Sequence, residues 1–224
     1  MRIVILLFAF LYTIHTQAQL RNHNDSVSYA AGINMVENLR KAGIIELNEN
    51  ILLDAIRSHM TGQTKMDTQT AAKIYQEEIK RIADQKAKAN KKAGEDFLAA
   101  NKKKSGVQTT STGLQYLHTS PGSGVQPDNN DKVTVHYHGT LIDGTVFDSS
   151  VERGQPASFG LNQVIPGWTE GLQLMKEGGK TTFYIPSQLA YGARATGKIQ
   201  AHSALIFEVE LIKVEPIENS APKK

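Results

Sequence analysis

Two hydrophobic periods divide this chain. From Ser26 to about Lys104 the apolar residues recur at helical spacing, and from Leu114 onward they alternate at period two. In the first half Tyr29, Ile33, Val36 and Leu39 form one stripe. Gly43 closes it, because glycine supplies the positive φ of a helix C-terminus. Asn48 is placed to cap a second helix with Ile51, Leu52, Ala55, Ile56 and Met60 on its apolar face, ending at Gly62. Asp67 then opens a long segment without proline that runs to Lys104, with Gly94 as a tolerable weak point. Its apolar positions cluster early (Ala71, Ile74, Tyr75, Ile79, Ile82) and late (Ala93, Phe97, Leu98). Between Asp84 and Lys92 there is almost nothing apolar larger than alanine. A helix that is polar all round bridges solvent, so the early part is expected to pack and the middle to act as a stalk. Helical regions this small commonly complete their burial by oligomerising.

In the second half the predicted strands are 114–118, 132–141, 146–149, 157–160, 180–185 and 205–214, after a polar hinge at Thr109 to Thr112. Pro121-Gly122 and Pro127 to Asn130 mark turns. One short helix fits at about 165–175, where Pro166 suits a first turn. The fold class is α+β: an antiparallel sheet wrapped on one short helix, preceded by an all-α region. The densest stretch is Val135 to Ser150, VHYHGTLIDGTVFDSS. Val133, Val135, Tyr137 and Leu141 share one strand face, and Thr134, His136, His138 and Thr140 the other. Asp143-Gly144 signals a hairpin. The return strand then brings Phe147 and Asp148 alongside Tyr137.

The 224-residue length permits one large or two small domains, and the net charge of +3 is too slight to indicate nucleic acid. The basic excess sits in the first half: residues 20–106 carry 15 Lys/Arg against 11 Asp/Glu, residues 107–224 carry 9 against 11. That distribution reads as a solvated helical surface. Residues 1–19 read as a signal peptide: Arg2, an apolar run from Ile3 to Ile14, then small residues around Ala18. The run falls short of the ~20 residues that span a bilayer. With no cysteine, neither a disulfide nor a lipid-anchored lipoprotein is available. The expectation is an exported protein, periplasmic or associated with the outer membrane, with a disordered tail at residues 216–224.

Further motifs follow the hairpin: Val164-Ile165-Pro166-Gly167-Trp168, then Leu189-Ala190-Tyr191-Gly192, then Ala204 to Leu211. In this order they resemble the FKBP-type peptidyl-prolyl cis–trans isomerases, over roughly Gly113 to Val214. The resemblance implies a pocket with Tyr137, Asp148 and Tyr191 as its catalytic group. Phe147, Phe159, Val164, Ile165, Trp168, Ile199 and Phe207 would bind substrate, with Trp168 as the floor under the proline ring. Asp148 would stand near Tyr137 and Arg153 and orient the site. The residues alone leave other roles open. The aromatics could be core, Phe207 could belong to an inward strand face with Val209 and Leu211, and Asp148 before Ser149-Ser150 could cap a turn.

The helix order, with Gly94-Glu95-Asp96-Phe97-Leu98-Ala99-Ala100-Asn101, resembles the amino-terminal dimerisation region of the exported FkpA- and Mip-like isomerases. This implies a homodimer, with a helical domain and stalk at 20–106 and an isomerase domain at 107–215. No cofactor or metal is expected. His136 and His138 share a face, but sequence places no third ligand beside them, and Asp128 to Asp131 lacks the glycine and distant glutamate of a calcium loop. The partners implied are unfolded or partly folded proline-containing polypeptides, with macrolides as inhibitors. At Ile199-Gln200-Ala201-His202 the chain departs from the family, which often has proline after the isoleucine. The departure bears on substrate preference and macrolide affinity more than on activity. The competing readings are a dimeric holdase chaperone with a secondary or silent isomerase site, and a surface protein that binds host or matrix partners.

Overall fold

The computed structural model describes residues 20–216. The expected signal peptide lies outside the described residues, as does the expected tail beyond Pro216. By contacts the chain separates into two compact units, one running through Ile79 and the other beginning at Lys80. The break falls inside the third helix, whereas the division expected from the sequence, at residue 106, follows secondary structure.

The first unit is helical. Helix α1 (His23–Lys41) begins three residues before the expected Ser26, because the Asn22 side chain caps it by accepting from the Asp25 N–H at 2.9 Å. Gly43 ends it as expected, at φ 86°, with the Ile44 N–H returning to the Leu39 carbonyl at 2.9 Å. Helix α2 (Glu49–Met60) is capped by Asn48, which accepts from the Ile51 N–H at 3.2 Å. Helix α3 (Thr68–Asn101) starts at Asp67, whose carboxylate accepts from both the N–H and the hydroxyl of Thr70. Among the described residues none in α1 or α2 is buried. Tyr29, Ile33, Ile51, Met60, Ile74 and Tyr75 are all exposed. The expectation that early α3 packs is therefore not met within a single chain.

The second unit is an antiparallel sheet with a helix on one face. Its strands are β1 (Gln108–Thr109), β2 (Gln115–Ser120), β3 (Lys132–Leu141), β4 (Val146–Ser149), β5 (Ala157–Gly160), β6 (Lys180–Ile185) and β7 (Leu205–Glu215). They order as β1-β2-β6-β7-β3-β4, with β5 on β3. Strand β1 occupies part of the expected polar hinge, because Gln108 and Thr109 pair with Tyr116 and Gln115. Alternation on β3 buries Val133, Val135 and Tyr137, and on β7 it buries Leu205, Phe207, Val209 and Leu211. Helix α4 (Pro166–Leu172), with Pro166 in its first turn, lays Trp168 and Leu172 on that surface. It ends earlier than the expected 175.

The second half of α3 belongs to this unit. Asn101, fully buried, donates to Gln115 Oε1 at 3.0 Å, and Gln115 Nε2 returns to the Leu98 carbonyl at 2.9 Å. Phe97 packs on Tyr184 with ring centroids 6.0 Å apart. The solvated stretch expected from Asp84 to Lys92 is exposed except at Ala87 and Asn90, which are half-buried.

Candidate active site

The β3–β4 hairpin and helix α4 form the centre of the site, with β5, β7 and the loop carrying Tyr191 around them. Asp143-Gly144 makes the expected turn, with Gly144 at φ 85° and the Asp143 carboxylate accepting from the Thr145 N–H at 2.9 Å. The turn returns β4 to β3, but not in perfect register. Gly139 opposes Asp148 while Thr140 opposes Val146, so Phe147 is an extra residue in β4. Regular pleating would send Phe147 and Asp148 to opposite faces; the bulge lets both reach the same cleft. Gly139 makes room for this. A Cβ there would lie 2.8 Å from the Phe147 ring and 2.9 Å from that of Phe207.

The cleft has a volume of about 480 Å³. Trp168 forms part of its base and is almost wholly buried. Three rings meet it edge-to-face: Phe207 at 5.1 Å, Tyr137 at 5.2 Å and Phe159 at 5.6 Å between centroids. Phe147 stands on Phe207 at 5.3 Å, also edge-on. Val164 and Ile165, at the approach to α4, complete the apolar lining. Phe207 thus serves both readings left open by the sequence: it continues the inward face of β7 and it lines the cleft.

One wall is polar. The Tyr137 hydroxyl donates to Asp148 Oδ2 at 2.5 Å and accepts from Arg153 Nη2 at 2.8 Å, while Arg153 Nη1 donates to Asp148 Oδ1. The guanidinium also lies over the Tyr137 ring, 5.6 Å from its centroid. Burial and the bond to Asp148 push the Tyr137 phenol above its ordinary range. Burial works to raise the Asp148 carboxyl too, but the hydrogen bonds from Tyr137 and Arg153 and the charge of Arg153 outweigh it and hold the group below the usual carboxylate range. Asp148 is therefore an ionised acceptor at neutral pH, engaged by both Tyr137 and Arg153.

Most of the expected site residues converge, and Ile199 does not. It is buried in the core and bridges to Thr196, outside the residues that line the cleft. Tyr191 sits at the mouth, 40% exposed, and its phenol has no hydrogen-bond partner among the described residues. His136 and His138 lie on the far face of β3 as expected. Their Nδ1 atoms meet Ser150 Oγ at 3.1 Å and Ser149 Oγ at 3.0 Å. Gln163 lines the cleft without having been expected, since an exposed glutamine before Val164 carries no pattern signal.

Residues 124–212 match the family described as FKBP-type peptidyl-prolyl cis-trans isomerase, and residues 24–117 match the domain amino-terminal to it. The FKBP-type peptidyl-prolyl cis-trans isomerase FkpA of Aeromonas hydrophila is 43% identical over 213 residues, covering 89% of this chain and 79% of that protein. The outer membrane protein MIP of Legionella longbeachae is 41% identical over 205 residues, 88% of each chain. The crystal structure of FkpA from Escherichia coli superposes with a TM-score of 0.75 at 35% identity, covering 88% of this chain and 99% of that one. The chain belongs to the FKBP-type peptidyl-prolyl cis–trans isomerases, and its activity is isomerisation of peptidyl-prolyl bonds.

Proposed function

We propose that the bond turns in the aromatic cleft, with the proline ring on Trp168 and the flanking chain held at the mouth. The observation that carries this is the apolar box of Trp168, Tyr137, Phe159 and Phe207 beside a single polar wall. Rotation of the amide meets a barrier of about 18–20 kcal/mol, set by resonance. An acceleration of ~10⁵ needs roughly 7 kcal/mol of differential stabilisation. Neither a covalent step nor a proton transfer is required. The twisted amide loses its charge-separated resonance form, so a dry apolar site favours it over the planar ground state. The Ile165 N–H, at the start of α4, makes no backbone hydrogen bond among the described residues and is free to hold a substrate carbonyl. Tyr191 can donate to another. The Tyr137–Asp148–Arg153 network keeps the wall rigid and ionised, a binding surface rather than an acid–base pair.

The proposal extends to the whole chain. The exposed apolar residues of α1, α2 and early α3 fit burial against a second copy, which makes the protein a homodimer. The amino-terminal apolar run and the absence of cysteine fit export without a lipid anchor. No described helix is long and apolar enough to cross a membrane. Clients are then unfolded or partly folded exported proteins, and the helical unit adds chaperone capacity. A protease-coupled isomerisation assay tests the cleft assignment. Asp148→Ala and Tyr137→Phe should each lower kcat/KM about tenfold or more, as removal of a hydrogen-bonded wall group does. His138→Ala, on the far face, should stay near wild type. Equal losses in all three, with folding intact by circular dichroism, would contradict it.

A further inference from the structure

The loop between Leu189 and Leu205 has little regular structure, yet it carries Tyr191 to the cleft mouth. Several hydrogen bonds hold it, among them Arg194 N–H to the Tyr191 carbonyl at 3.1 Å and Lys198 Nζ to the Val146 carbonyl at 2.8 Å. The Gly192 N–H donates to the Ser187 carbonyl at 2.8 Å, Thr196 and Ile199 bridge, and the His202 N–H donates to the Gly192 carbonyl at 2.8 Å. His202 lies at φ 59°, the one non-glycine residue at positive φ among the described residues. Such a conformation persists only when its surroundings enforce it.

Helix α3 packs against this turn. Asn90 Nδ2 donates to the Ala201 carbonyl at 3.2 Å, just before His202. Just after it, Gly94 lies so close to Ala204 that a Cβ at 94 would come within 3.1 Å of the Ala204 Cβ and 3.5 Å of its nitrogen. The helix thus grips the turn on both sides of His202, and the His202 N–H in turn holds Gly192, the neighbour of Tyr191. All of these residues lie in the second compact unit.

We propose that Asn90 and Gly94 are positioning residues of the isomerase: gripping the Ala201–Ala204 turn from behind, they fix Tyr191 at the cleft mouth and set the affinity for the chain flanking the proline. The proposal rests on the reading that Tyr191 contacts substrate. It also gives a reason for glycine inside a helix, where alanine is intrinsically favoured.

The test uses the full chain, with KM and kcat measured separately on prolyl tetrapeptides. In Gly94→Ala the loop must give by a few tenths of an ångström. KM is then expected to rise about three- to tenfold with kcat nearly unchanged, the signature of lost binding. The thermal midpoint should not fall, because alanine favours the helix. Adding Ala204→Gly to the same chain should restore KM by returning the space. Asn90→Ala should shift KM in the same direction by less, also without loss of helix. An unchanged KM in both single variants, while Tyr191→Phe is impaired, overturns the proposal and leaves the cleft reading standing. A KM change that tracks a falling midpoint and is not rescued by Ala204→Gly overturns it as merely structural. A Tyr191→Phe variant indistinguishable from wild type overturns the reading of the mouth, and the proposal with it.

Discussion

At the scale of the residue, Asp148 anchors the polar wall of the cleft through Tyr137 and Arg153. Its carboxylate takes up a proton less readily in the fold than in the unfolded chain, because Tyr137 and Arg153 bind its charged form. The unfolded chain is therefore protonated first as pH falls. The contribution of Asp148 to stability is fully present above the ordinary carboxylate range and is lost as pH descends through that range towards the depressed folded value. The phenol of Tyr137 shifts the other way, so it remains a donor through neutral and mildly alkaline pH. The isomerisation rate should accordingly be flat from pH 6 to about 9, with no bell shape. A stopped-flow pH profile checks this, and an inflection near neutrality would show that a titrating base takes part. The residue scale is also where the sequence was most legible. Tyr137 and the far-face histidines separate by simple alternation, and Asp148 follows from the hairpin. Gln163 did not, because an exposed amide leaves no trace in hydropathy.

At the scale of the element, irregularity makes the site. Alternation predicts six of the seven strands, and cap chemistry predicts Asn48, Gly43 and Gly62. Neither predicts the bulge that turns both Phe147 and Asp148 into the cleft, since its register is decided by pairing with β3. Neither assigns Gly139, whose missing side chain is filled by two rings. Gly139→Ala should cost about 1–3 kcal/mol by overpacking and should impair substrate binding, because Phe147 has to move. Urea unfolding together with KM measurement would show this, and wild-type values for both would mean that the bulge relaxes freely. The second half of α3 was legible only in part. Phe97, of its late apolar cluster, packs on Tyr184, but Asn90, Gly94 and Asn101 are small or polar residues that read as solvated when only apolar periodicity is followed. Ile199 is buried in the same hydrophobic core as Trp168 and Phe207 and is not among the residues that line the cleft.

At the scale of the whole molecule, burial differs sharply between the two units. The sheet unit encloses a continuous core, whereas α1 and α2 bury nothing by themselves. Light scattering of the chain should therefore give twice the chain mass, and residues 80–224 alone should be monomeric while still isomerising tetrapeptides. A monomeric full chain would contradict the proposed association. A chain cut at residue 107 should bind tetrapeptides more weakly than one cut at 80, because it loses the grip of α3 on the loop beside Tyr191. On a refolding protein the dimer should outperform the monomeric unit, since a second tethered site raises effective concentration without new contacts. The proposed catalytic cleft is lined by the single tryptophan of the chain. The most direct measurement titrates a rapamycin-type macrolide into the protein while following Trp168 fluorescence and isomerase activity in the same samples. Both signals should change together and saturate at one ligand per chain. Activity that persists after the fluorescence change is complete would place the reaction elsewhere.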